Sequence, residues 1–209
     1  MKEIIIATKN RGKVRDFEQL FSKKGIKVKS LLDFPDLPDV EETGTTFIEN
    51  AVIKAESIVN ELNKPVIADD SGLSVDVLGG EPGVYSARYA GPNKNDEENI
   101  QKVLHELKGV PSAKRTGRFH CALALAIPNG KTHVVEGTCE GLITNEPIGD
   151  RGFGYDPVFF VKEKGKTMAE LTNEQKNEIS HRAKALQKLV PLVDKVLLGE
   201  EDRDEGVNH

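Results

Sequence analysis

Tryptophan is absent from this chain of 209 residues, aromatics make up 5%, and there are two cysteines. So few cysteines exclude a disulfide-stapled scaffold. Basic residues are not in surplus either. Lys and Arg number 29 against 34 Asp and Glu, a formal charge of −5 with a pI near 5.6. That balance excludes a basic surface for nucleic-acid phosphates, so a phosphate-bearing ligand must be gripped by a few placed cations. No apolar run approaches the roughly 20 residues that cross a bilayer. The chain opens directly on the strand-like Ile4-Ile5-Ile6, with no signal-peptide core before it. Neither a nucleic acid nor a membrane is an expected partner, and the expected location is the cytoplasm.

What is present is a layered α/β pattern. Strand signals at 3–8, 26–31, 65–68 and 73–77 alternate with helix signals at 12–24 and 46–62, a β-α-β-α-β opening. The first helix is expected to bury Val14, Phe17, Leu20 and Phe21. The second should bury Ile48, Val52, Ala55, Val59 and Leu62, with Thr46 and Glu49 as a capping box. A third helix, from Asp96 to Lys108, has the cap pair Asn95 and Glu98. Strand-like runs at 118–127 and 131–138 then form an antiparallel hairpin, so the sheet is mixed. If Asn129-Gly130 is a two-residue turn, Cys121 faces Thr138 and Cys139 points to the opposite face, which argues against a disulfide. Val158–Val161 reads as a short strand. A last helix starts after Ser180 and should kink at Pro191. Residues 1–198 are expected to form one domain and 199–209 a charged, frayed tail.

The chemistry-bearing segments lie between these elements. Ala68-Asp69-Asp70-Ser71-Gly72 puts two carboxylates after the apolar run Pro65-Val66-Ile67, where the carboxyl edge of a sheet meets a turn. Hard oxygen donors of this kind suit Mg²⁺. Thr8-Lys9-Asn10-Arg11-Gly12-Lys13 joins the first strand to the first helix, a position that favours anions, without the spacing of a Walker P-loop. Glu41-Glu42 precedes the second helix, and Lys54 sits two turns into it, away from the expected apolar stripe. The loop from Gly149 to Asp156 carries Phe153 and Tyr155 among glycines, either to cradle a flat ligand or to plug the core. Lys176, His181 and Arg182 bring donors to the start of the last helix, where its dipole prefers anions.

These stretches, with Glu81-Pro82-Gly83-Val84-Tyr85-Ser86-Ala87-Arg88-Tyr89, occur in an order that resembles the inosine/xanthosine triphosphate pyrophosphatase family, from Ile4 to about Val190. Lys9 departs from the smaller residue common at its position. The resemblance implies a long mixed β-sheet flanked by helices, with two lobes around a central active-site cleft, usually in a homodimer. It implies Mg²⁺-dependent cleavage of a purine nucleoside triphosphate such as ITP, dITP or XTP into the monophosphate and pyrophosphate. By position, Glu41 and Asp70 would bind the metal, with Asp70 also the proton acceptor. The loop Thr8, Lys9, Asn10, Arg11, Gly12 and Lys13 would hold the triphosphate, aided by Lys54. Ser71, Phe153, Gly154, Tyr155, Asp156, Lys176, His181 and Arg182 would contact the nucleotide. The alternatives are a pyrophosphatase for standard or pyrimidine triphosphates and a nucleotide-binding module without turnover. Whether Glu41 or Glu42 is the ligand stays open.

Overall fold

Three consecutive isoleucines, all buried, make β1 (Lys2–Ile6) a strand covered on both faces. In the computed structural model, which describes residues 2–199, β1 pairs in parallel with β2 (Ile26–Ser30) on one side and β3 (Val66–Val75) on the other. The crossovers hold α1 (Arg11–Ser22) and α2 (Phe47–Leu62). Antiparallel β4 (Thr116–Ala126), β5 (His133–Ile143), β6 (Phe159–Val161) and β7 (Lys166–Thr167) extend the sheet to seven strands in the order β2-β1-β3-β4-β5-β6-β7. The remaining helices are α3 (Asp96–Glu106), α4 (Asn173–Ile179) and α5 (His181–Val193). None of the helices among the described residues is long and apolar enough to cross a membrane.

The apolar side chains sort into three cores. On one face of the sheet, Phe17 and Phe21 of α1 and Ala185, Leu189 and Val193 of α5 pack on Ile4, Ile6, Ile67, Leu123 and Leu125. On the other, Phe47, Ala51, Ala55 and Ile58 of α2 pack on Ile5, Val66, Ala68, Ala122 and Ala124. The third core joins the far ends of β3 and β4 to α3 through Leu73, Val75, Ile100, Val103, Leu107, Phe119 and Phe159. Strands β3 and β4 thus run from one lobe into the other. Gly137 lets α5 sit close on β5, since a Cβ there would lie 2.1 Å from the carbonyl oxygen of His181.

Several expectations are corrected. Ala68 to Gly72 is not a turn between two strands but the middle of β3, because β4 pairs with it from Val66↔Ala126 to Val75↔Gly117. On α2 the buried stripe starts at Phe47 and leaves Ile48 exposed. The hairpin pairs Cys121 with Gly137 and Phe119 with Cys139, so the cysteines share one face; both are free and buried. The shift arises because β4 ends at Ala126 and β5 starts only at His133, a longer loop than a two-residue turn. Helix α4 and strand β7 were not anticipated. Helix α5 continues through Pro191 to Val193 and passes into a π-type turn, Asp194–Leu198. The tail from Glu200 lies outside the described residues.

Candidate active site

Between Ala68 and Gly72 the β1-facing edge of β3 is open, because β1 pairs with β3 only through Ile5↔Val66 and Ile6↔Ile67 and the edge is covered again only where Leu73 bonds Ser86 and Ser74 bridges Pro82. The strand's pleat sends successive side chains to opposite faces. Asp69 therefore enters the α1/α5 side with Ile67, and Asp70 the α2 side with Val66 and Ala68.

On the α1/α5 side, Lys13 and Arg182 donate to the same oxygen, Asp69 Oδ2, the latter at 2.9 Å. Burial opposes ionisation of Asp69, yet Lys13 and Arg182 outweigh it and hold the carboxyl well below the ordinary range. Arg182 also has a looser contact of 3.8 Å to the solvent-facing Asp16. His181 stacks on Phe119 at 5.0 Å between centroids. Burial, with Arg182, His120 and Lys13 adding to it, brings its pKa down to about 3, so the ring is neutral. His181 Nδ1 and Ser71 Oγ are buried without a partner.

On the α2 side, Asn50 donates from Nδ2 to Asp70 Oδ2 at 3.1 Å and accepts from the Gly44 N–H at 2.8 Å. The backbone N–H of Ser71 donates to Asp70 Oδ1 at 3.0 Å. Lys54 pairs with Glu42 at 2.5 Å and donates to the Asp69 carbonyl oxygen at 3.0 Å. Burial raises the Asp70 pKa to about 6; Asn50 works against the rise and Glu42 adds to it. Glu42 is half-buried, whereas Glu41 is exposed.

The first loop is folded on itself. Asn10 caps α1, its Oδ1 accepting from the N–H groups of Gly12 at 2.8 Å and Lys13 at 3.2 Å, and its own N–H donates to Thr8 Oγ1. Lys9 pairs with Asp39 and Arg11 points to solvent. In the glycine loop, Phe153 is 73% exposed while Tyr155 is buried, its hydroxyl donating to the Ser86 carbonyl oxygen at 2.7 Å. Tyr155 thus serves the core and Phe153 remains free for a ligand. The Gly154 N–H donates to Asp96 Oδ2 at 2.8 Å, tying the loop to α3. Asp156 pairs with Lys176 at 2.8 Å. Gly152, at φ +86°, must stay glycine, since a Cβ would sit 2.0 Å from Asp156 Oδ2 and 2.5 Å from Lys176 Nζ.

Sequence reading missed Asn50, left Glu41 and Glu42 as alternatives and gave Asp69 no part of its own. Asn50 and Lys54 lie one helical turn apart, beside the stripe from Phe47 through Ala51 to Ile58. A polar pair at that spacing was the available signal. Formal charges on the two faces differ in sign. Leaving Asp16 aside, two cations meet one carboxylate around Asp69, and two carboxylates meet one cation around Asp70. An anion fits the first side and a cation the second.

Known proteins share this architecture. The chain is 68% identical to the dITP/XTP pyrophosphatase of Geobacillus kaustophilus, covering 90% of this chain and 93% of that one. It is 59% identical to the Bacillus subtilis protein of the same name, covering 93% and 98%. The Ham1 protein of Staphylococcus aureus superposes with a TM-score of 0.87 at 48% identity, covering 96% of this chain and all of that one (100%). The Ham1 profile matches residues 4–192, every strand and α-helix named above except the strand residues before Ile4 and the last residue of α5, and the chain belongs to the Ham1 family.

Proposed function

We propose that this chain hydrolyses purine nucleoside triphosphates with a non-standard 6-oxo base (ITP, dITP or XTP) to the monophosphate and pyrophosphate, with Mg²⁺. The observation that carries the reading is the opposite charge of the two faces of β3 at its open edge. A metal–triphosphate ligand has both signs and can straddle that edge. The names of the relatives support the substrate class.

Asp70 and a glutamate of the Glu41-Glu42 segment would hold the ion, and we assign Glu42, which pairs with Lys54 and whose charge acts on Asp70. Among the described residues no three His, Cys, Asp or Glu side chains come together. Mg²⁺ is commonly held by one or two carboxylates together with substrate phosphates. When bound, the ion would neutralise phosphate charge and polarise the anhydride being cut. Asp70 accepts the proton of the attacking water; without the ion its pKa lies near 6, and a bound cation would lower it. Lys13 and Lys54 offset the triphosphate charge, with the loop from Thr8 to Lys13 as its wall. Phe153 offers its exposed ring to the purine. Arg182 and the unpartnered His181 meet the C6 oxygen, which accepts hydrogen bonds where the adenine amino group donates them. A homodimer completes the reading, and the two free, buried cysteines support a reducing cytoplasm.

The test is a panel of ITP, dITP, XTP, GTP, ATP and UTP, with and without Mg²⁺, scored for pyrophosphate and orthophosphate separately. Mg²⁺-dependent pyrophosphate release from the inosine and xanthosine substrates is expected. Equal rates on ATP, or orthophosphate as the first product, overturn the proposal.

A further inference from the structure

Three of the cations assigned to the ligand, Lys13, Lys54 and Arg182, contact one residue, Asp69, to which the proposed function gives no part. Asp69 accepts from Lys13 and Arg182 through its carboxylate and from Lys54 through its backbone carbonyl. Its exposure is 4% and its ladder neighbour on β4 is Leu123, so the shared oxygen is shielded although the Lys13 and Arg182 side chains stay partly exposed. Lys13 stands in the first turn of α1 and Arg182 in the first turn of α5, where helix dipoles repel cations. Two like charges on two helix N-termini stay together only around an anion.

We propose that Asp69 is a positioning residue, the buried anchor that fixes Lys13 and Arg182 relative to each other so that phosphate grip and base recognition act as one unit. This rests on the function proposed above. Its consequence is that one substitution weakens both ends of the substrate at once, although the two ends meet different side chains. Loss of an anchor acts on binding, whereas loss of Asp70 acts on turnover.

The experiment compares wild type with Asp69→Asn, using two competitive inhibitors of ITP hydrolysis. Tripolyphosphate reads the phosphate end alone and inosine the base end alone. Both inhibition constants are expected to rise tenfold or more, as when one partner of a buried charge pair is removed, with KM rising more than kcat falls. Constants unchanged beside a lowered kcat mean a smaller folded fraction and overturn the proposal. Weakening of only one probe overturns it too, and tighter tripolyphosphate binding would make Asp69 a competing anion. If Asp69→Asn does not fold, Asp69→Asn with Lys13→Gln removes the facing charges. Its inosine constant must still exceed that of Lys13→Gln alone. A wild type that hydrolyses no ITP overturns the function instead, and calorimetric titration of the same two probes still reads the anchor.

Discussion

Asn50 is the residue whose replacement separates orientation of Asp70 from its charge. Asn50→Ala removes two hydrogen bonds, one from the Gly44 N–H at 2.8 Å and one to Asp70 Oδ2 at 3.1 Å. The first is a neutral bond, about 1 kcal/mol net, and the second ends on a charged group, about 1.5–3 kcal/mol. Gly44 is half-buried, so its freed N–H can find water and the lower part of that range applies. The loss is therefore about 3 kcal/mol. For a chain of 209 residues that lowers the melting temperature by roughly 6–12 °C. Turnover should fall more than stability alone explains. Asp70 keeps its bond from the Ser71 N–H but loses the one that fixes Oδ2, and misplacement by about 1 Å costs on the order of a hundredfold in rate. The measurements are a thermal melt and kcat for ITP at a temperature where the variant is folded. A melt within two degrees of wild type refutes the hydrogen-bond account, and turnover within threefold refutes the orienting role.

Three further outcomes are expected. Asp70→Asn should lose on the order of a hundredfold or more in turnover while remaining folded, because relief of a charge that burial disfavours offsets the loss of one of its two accepting oxygens; a cooperative loss of fold would contradict this. Lys13→Ala should weaken a slowly hydrolysed triphosphate analogue far more than IMP at fixed salt, and equal losses would remove Lys13 from the outer phosphates. His181 has a folded pKa near 3 against 6.5 unfolded, so the unfolded chain binds the extra proton and stability falls as pH drops below 6.5. At pH 5.5 that amounts to about 1.4 kcal/mol, read as the change with pH in the stability difference between wild type and His181→Gln; a pH-independent difference would show that the ring protonates in place.

The opening β-α-β-α-β order was legible because each helix carries its own start signal. The Thr46 box and the Ser180 cap form as read, Asn95 caps α3 without the return bond from Glu98, and Asn10 caps α1. What was not legible depended on distant partners. Asp69-Asp70-Ser71-Gly72 has turn chemistry, yet ten residues of β3 pair along β4, and that ladder overrides local preference. Phe47 and Ile48 are both apolar, and only the packing of α2 on the alanines of β3 and β4 chooses between them. That choice also turns Asn50 and Lys54 toward the site. Phe153 and Tyr155 stand two apart in a glycine loop, and the Ser86 carbonyl that captures Tyr155 comes from far along the chain.

The mid-strand position changes what the two aspartates can do. In a turn they would crowd one point and repel. In a pleated strand one faces cations that hold it ionised, and the other faces a buried pocket with Glu42 that lifts its pKa to about 6. Adjacent carboxyls pushed in opposite directions are suited to the different parts proposed for them, a fixed charge and a base. A one-residue slip of β3 against β4 would exchange those faces and abolish both parts together. The full-length ladder that hid the motif from sequence reading is therefore what makes the pair usable, and Asp69→Asn and Asp70→Asn should fail in different kinetic constants.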